Sequence, residues 1–283
     1  MSAYTQQAKG KAFIKMHQGP SLLLLPNAWD IGSALMLQQA GFPAIATTSA
    51  GIAYALGFPD NERMSRSQMI EAVERIVKRV EVPVTADLEA GYGRTPNAVA
   101  ETFRQAILAG VVGGNIEDSD PHMSGILFDT DEACERIRAA REAADASGIP
   151  FILNARTDPF LRHPQLSRNA KLAEAIRRGN AYHEAGADCI FVPNVADAET
   201  IKHLTAEIAA PVNVLGAFSG TAGLPVHTLL DLGVRRVTLG GSLALASLAL
   251  IRRVAQEIQH HGTFSYVEQA LSNREMNALF ATL

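Results

Sequence analysis

Short apolar runs alternate along this chain with longer stretches in which apolar residues recur at helical spacing. The strand-like runs are Leu22–Leu25, Ala44–Thr48, Val82–Asp87, Val112–Glu117, Phe151–Arg156, Cys189–Val192, Val212–Leu215 and Arg236–Leu239. Helical periodicity falls between them, at Ser67–Val80, Ala98–Ala109, Thr130–Ala146, Ser167–Ala185 and Ser242–Gln259. Runs that are apolar on both faces suit parallel strands covered by helices. Eight of them, with no linker rich in Pro, Gly or Ser, predict an α/β chain folded as one (β/α)8 TIM barrel over residues 1–283 rather than an open sheet.

Two segments lie outside the eightfold count: an amino-terminal helix, and a helical extension at 263–283 in which Val267, Leu271, Met276, Leu279 and Phe280 can share one face. Such an appendage packs on its own barrel or crosses to a neighbour, so a homodimer or homotetramer is expected. The triplets Ala40-Gly41-Phe42, Ala109-Gly110-Val111, Ala185-Gly186-Ala187 and Leu232-Gly233-Val234 read as helix stops before strands.

A content of 47% hydrophobic and 19% charged residues in 283 supports a large core and argues against disorder. The net charge of −4 gives no field to attract nucleic acid or an acidic membrane. Cys134 and Cys189 lack metal-ligand spacing and read as free thiols. Met1 to Pro20 has no apolar core with a cleavage site, and the run Leu243 to Ile251 is too short to span a bilayer. A cytoplasmic protein with a small-molecule ligand, binding neither nucleic acid nor membrane, is the expectation.

The chemistry gathers where strands end. Val82–Asp87 closes in Asp87-Leu88-Glu89-Ala90-Gly91-Tyr92-Gly93, two carboxylates two residues apart with glycines that let the backbone turn closely around a ligand. Hard divalent ions take such oxygen ligands, although the stretch alone would also serve as an acidic turn before a helix. Two further strands end alike, in Glu117-Asp118 and in Arg156-Thr157-Asp158. Chemistry carried on the carboxyl ends of parallel strands is how barrel enzymes are built.

Thr48-Ser49-Ala50-Gly51, Leu56-Gly57-Phe58-Pro59-Asp60, the Asp87–Gly93 element, Ile116-Glu117-Asp118 and Ala155-Arg156-Thr157-Asp158 stand in an order and spacing that resembles the isocitrate lyase and phosphoenolpyruvate mutase superfamily from about Pro26 to the carboxyl terminus. The resemblance implies Mg²⁺, with Mn²⁺ as a substitute, held directly or through water by Asp87, Glu89 and Glu117, with Asp60 near the cluster. Family members usually carry aspartate where this chain has Glu89. The likeness also implies that Thr48, Ser49 and Ala50 hold a substrate carboxylate, and that Gly91, Tyr92, Gly93 and Asn194 belong to the substrate site. Arg156 would take another substrate oxygen through paired hydrogen bonds, or else form a structural salt bridge to Asp158 or Glu117.

Such a site is an electron sink: a 2-oxo acid chelates the cation, which stabilises the enolate formed when the adjacent bond breaks. The lyases' Cys-Gly-His loop is absent, its place taken by Ser119–Leu127, and so is the mutases' Lys-Thr-Asn-Ser loop. His122 and Ser124 on a mobile lid are then the candidate proton donors, and Asn194 replaces the family's Glu or His. These features favour a Mg²⁺-dependent carbon–carbon lyase acting on a small 2-oxo or 2-hydroxy dicarboxylate, oxaloacetate decarboxylase-like. Phosphorus–carbon chemistry, or 2-oxo-acid binding without turnover, are the competing readings.

Overall fold

The computed structural model describes residues 3–123, 125–218 and 221–281, so Ser124 lies outside the described residues. The first strand of the pattern is divided at Pro26 into β1 (Leu23–Leu25) and β2 (Asn27–Ala28). Proline has no N–H to give a ladder, and this one marks where the strand changes neighbours. There follow β3 (Ile45–Thr47), β4 (Val84–Asp87), β5 (Gly113–Glu117), β6 (Ile152–Arg156), β7 (Cys189–Phe191) and β8 (Val212–Leu215). A short antiparallel hairpin, β9 (Ala217–Phe218) with β10 (Thr221–Ala222), precedes β11 (Arg236–Thr238).

The large sheet runs β1-β11-β8-β7-β6-β5-β4-β3-β2 with every pair parallel. Leu23 pairs with Arg236 while Asn27 pairs with Ala46, so β1 and β2 join the two ends of the sheet. They are halves of one strand, and the sheet is therefore a closed eight-stranded barrel, as expected.

Twelve helices are described: α1 (Ala3–Gln18), α2 (Ile31–Gln39), α3 (Ser49–Ala55), α4 (Arg66–Val77), α5 (Pro96–Leu108), α6 (Thr130–Ala146), α7 (Pro159–Arg162), α8 (Arg168–Glu184), α9 (Ala198–Glu207), α10 (Val226–Asp231), α11 (Ser242–His261) and α12 (Asn273–Ala281). Thr48, Ser65, Thr95, Ser167 and Asp197 each accept a first-turn N–H, and Asp30 forms a capping box with Ser33. The anticipated helix stops hold: Gly41, Gly110, Gly186 and Gly233 have φ of 89°, 101°, 111° and 89°, a left-handed backbone that glycine adopts without a Cβ penalty.

Helix α1 seals the amino-terminal end of the barrel. Phe13 is fully buried among Leu23, Leu25, Ala44, Ala46, Val112 and Ile152. A Cβ on Gly113 would come within 2.8 Å of its ring, so that strand must present no side chain there. With this end plugged by apolar packing, ligands are left to the opposite mouth. No helix among the described residues is long and apolar enough to cross a membrane.

The carboxyl-terminal extension divides its allegiance. Helix α12 folds back on α2, burying Leu279 and packing Met276 against the core. Helix α11, by contrast, buries only Ala244 among its residues, and leaves Leu248, Leu250 and Ile251 47%, 50% and 63% exposed, continuing into exposed Phe264, Val267 and Leu271. An apolar surface of that extent favours self-association. Light scattering at micromolar concentration should therefore show a multimer, and Leu248→Arg with Ile251→Arg should lower its mass; a full-length monomer would contradict this.

Candidate active site

Two strands and two connecting segments bring the expected acids to the carboxyl-terminal mouth. Asp87 ends β4, Glu117 ends β5 beside it, Glu89 lies two residues beyond Asp87, and Asp60 comes in from the segment after α3. Two adjoining hollows open there. One, of about 450 Å³, is lined by Thr48, Ser49, Ala50, Asp60, Asp87 and Arg156; the other, of about 260 Å³, by Ser49, Asp60, Glu89, Glu117, Arg156 and Arg162.

Each acid already has donors. Ser49 gives both its amide and its hydroxyl to Asp87 Oδ2, at 3.1 and 2.9 Å. Glu89 accepts from the Tyr92 hydroxyl and the Glu62 amide, both at 2.6 Å, while Glu62 in turn accepts from the Tyr92 amide at 2.7 Å. Glu117 faces Arg156 Nη1 at 2.7 Å. Burial, opposed by hydrogen bonds and reinforced by the charges of Asp87 and Asp60, pushes Glu89 up to about 8. Burial likewise raises Asp60, with Asp87 adding to it, and raises Glu117 against the pull of Arg156.

Arg156 is fixed from below. Asp158, fully buried, takes its Nε at 2.7 Å and its Nη2 at 2.8 Å, a two-pronged bond, and accepts as well from Ser119. The Asp158 amide donates to Asp118, which also receives Thr157 Oγ1, Tyr182 OH and Arg178 Nη1. Three of the five guanidinium N–H groups of Arg156 are thus committed to Glu117 and Asp158, and the structural pairing is the one observed. A substrate oxygen would meet its remaining donors.

Other expected contacts are rearranged. The Thr48 amide donates to Ala28 O and the Ser49 amide to Asp87, so two of the three residues expected to hold a carboxylate already have their amides engaged. Gly91 and Gly93 are required by packing, since a Cβ would come 2.9 Å from Val99 and 2.5 Å from Ala98, where α5 crosses the turn. Neither they nor Tyr92 line the two hollows among the described residues; Tyr92 acts through Glu89. His122 is exposed on its turn, away from both linings, its amide held by Asp120. Asn194 does line the larger hollow, its side chain donating to Phe160 O at 3.3 Å.

Asn61, Glu62, Glu89, Tyr92 and Asn194 have φ between 51° and 70°, and they are the described non-glycine residues with positive φ. All stand at this mouth, where left-handed backbone is sustained because the surroundings dictate it. Arg136 supplies part of that constraint, donating to Ala90 O and Arg94 O while stacking 4.2 Å over Phe128. Glu62, Tyr54 and Asn115 are site residues that sequence reasoning passed over; Glu62 and Tyr54 lie outside the strand-like runs, and Asn115 stands inside the run whose closing acid, Glu117, carried the signal.

Among the described residues no three of His, Cys, Asp and Glu converge as a ready-made cage for a metal. The donor set nevertheless fits a hard cation that keeps waters and takes one or two carboxylates: it is all-oxygen, opens on the hollows, and sets the carboxyl groups of Asp60, Asp87, Glu89 and Glu117 beside Arg156 and Arg162.

Residues 13–259 match the phosphoenolpyruvate phosphomutase family. The chain belongs to the isocitrate lyase/phosphoenolpyruvate mutase superfamily. A provisionally named lyase/mutase from Burkholderia cenocepacia J2315 is 41% identical, superposes with a TM-score of 0.92, and 98% of each chain is covered. The 2-methylisocitrate lyase of Bacillus subtilis is 28% identical over 92% of this chain and 84% of its own. Oxaloacetate decarboxylase 2 of Pseudomonas fluorescens is 28% identical over 84% of this chain and 80% of its own.

The raised Glu89 carboxyl has a consequence for stability. Its folded value near 8 exceeds the ordinary 4.5, so the folded state holds a proton the unfolded chain has released. The associated stability is full below about pH 4.5 and is lost as pH rises through 8. Without divalent metal, Glu89→Gln should melt with the parent near pH 4.5 and several degrees above it at pH 8.5; melting curves offset equally at both pH values would refute this.

Proposed function

We propose that this protein is a Mg²⁺-dependent carbon–carbon lyase acting on a small 2-oxo or 2-hydroxy dicarboxylate, with decarboxylation of an oxaloacetate-type substrate preferred. The observation that carries this reading is the convergence of Asp60, Asp87, Glu89 and Glu117 on two adjoining hollows that share Asp60 and Arg156. Superfamily membership and relatives named for 2-methylisocitrate cleavage and oxaloacetate decarboxylation support it.

Mg²⁺, when bound, supplies positive charge to the carboxylate and carbonyl oxygens of a 2-oxo acid and takes up negative charge as the adjacent bond breaks. Asp87, oriented by Ser49, and Glu89, oriented by Tyr92 and the Glu62 amide, would hold it, with Glu117 alongside. Arg156 places fixed positive charge at the same hollow and cannot swing away, because Asp158 anchors two of its nitrogens. Its unengaged N–H groups orient a substrate oxygen without reorganising.

The segment 119–127 carries no thiol, and the described residues lining the two hollows include no cysteine or histidine. Cleavage of an isocitrate leaves a carbanion on the departing dicarboxylate that needs a positioned acid. Loss of CO₂ requires only a later proton, which His122 on the exposed turn, or water, can deliver.

Calorimetry with oxalate, a planar enolate mimic, should show binding that chelator and Asp87→Ala both abolish. Oxaloacetate should release pyruvate above the metal-catalysed background, with Arg156→Ala slower by roughly 10²–10³-fold, whereas isocitrate should give little glyoxylate and 2-methylisocitrate little succinate. Oxalate binding undiminished by chelator would overturn the metal assignment. Metal-dependent binding without turnover of any of these acids would leave a binding protein in place of a lyase.

A further inference from the structure

The smaller hollow holds two arginines, and their charges are spent differently. Arg156 gives three of its N–H groups to Glu117 and Asp158, so carboxylates meet its charge before any ligand enters. Arg162, the last residue of α7, lines the same space with neutral partners: its Nε donates to Ser119 Oγ at 3.0 Å and its Nη2 to Asn61 Oδ1 at 3.2 Å. Among the described residues it forms no ion pair. Three of its five N–H groups, both of those on Nη1 included, are left for a ligand.

Its aim is set from three sides. The Arg162 amide donates to Asp158 O at 2.9 Å, and Asn61 reaches its side chain from the segment after α3 on a left-handed backbone of φ 70°. Ser119 gives its own hydroxyl hydrogen to Asp158 and so turns a lone pair to Arg162. Asp158 thereby orients both arginines, Arg156 directly and Arg162 through one serine.

Once a 2-oxo acid has set one carboxylate and its carbonyl oxygen beside Asp87, Glu89 and Glu117 with their cation, a second carboxylate on the same molecule remains to be placed. In a hollow lined by Asp60, Glu89 and Glu117 it would meet like charge on several sides. Arg162 offers the positive charge there that no carboxylate has claimed, and a planar guanidinium takes a carboxylate through parallel hydrogen bonds.

We infer that Arg162 is the specificity-determining residue that holds the second carboxylate of a 2-oxo diacid and so separates diacids from 2-oxo monoacids. This rests on the 2-oxo-acid reading of the site. In decarboxylation of an oxaloacetate-type substrate that carboxylate is the one that leaves: the C3–C4 bond pair moves into the enolate, the group departs as neutral CO₂, and a proton from water later closes C3. Arg162 thus binds the charged group before the bond breaks and keeps no hold on the product. Its contribution falls on substrate affinity rather than on the chemical step.

Oxaloacetate, its uncharged 4-amide 2-oxosuccinamate, and oxalate separate these roles when each is measured with Mg²⁺ on the parent and on Arg162→Gln. Affinity for oxaloacetate is read as KM, or as displacement of oxalate in calorimetry if the parent does not turn it over. Arg162→Gln should weaken oxaloacetate roughly 10- to 100-fold with kcat undiminished, and leave oxalate and the amide within about twofold of the parent. Arg162→Lys, which keeps the charge without the planar fork, should recover part of the loss. Oxaloacetate held equally well by the parent and by Arg162→Gln overturns the assignment. So does an equal loss for oxalate or the amide, which would make Arg162 a support of the acidic cluster. A parent protein that binds neither oxalate nor oxaloacetate loses the 2-oxo-acid reading and this inference together.

Discussion

Carboxylates crowded at one end of the barrel, with the anchored Arg156 among them, set the terms for the rest of this site. Asp60, Glu89 and Glu117 are raised by burial and by neighbouring acids, and the surrounding hydrogen bonds are spent on holding them. Ser49 commits two donors to Asp87, and Tyr92 and Glu62 interlock around Glu89. The buried Asp118–Asp158 pair, satisfied by Thr157, Tyr182 and Arg178, fixes Arg156 as counter-charge. Removing one partner from such a buried network leaves an uncompensated group behind, so its members act as a unit.

The backbone shows the same constraint. A barrel whose amino-terminal end is closed by Phe13 and whose helices are regularly capped places its left-handed non-glycine residues at the opposite mouth. The conformations of Glu62, Glu89 and Tyr92 bring their carboxylate, hydroxyl and amide groups into mutual reach. Local strain here accompanies a preorganised arrangement of charge, and the regular packing elsewhere sustains it.

Much of this was legible in the sequence, for identifiable reasons. Strands buried on both faces read as continuous apolar runs, and the eight predicted runs each contain an observed strand. The four glycine stops follow from local chemistry alone. The handover at Pro26 was not legible, since Asn27–Ala28 is too short to show a period. Glu62 escaped because its role depends on a loop folding over a strand distant in sequence; Arg178 and Tyr182 left a faint sign, two polar residues one turn apart on the buried face of α8. Gly91 and Gly93 read as room for a ligand, yet the space they spare belongs to α5.

If the acids of this mouth carry negative charge in want of a divalent cation, crystals grown with Mn²⁺ and oxalate, measured at a wavelength where manganese scatters anomalously, test it most directly. One strong anomalous peak is expected between Asp87, Glu89 and Glu117, with oxalate beside it and Arg156 still anchored on Asp158. Oxalate ordered in the hollow with no anomalous peak, or manganese bound elsewhere while Asp87 keeps its bonds to Ser49, would contradict it.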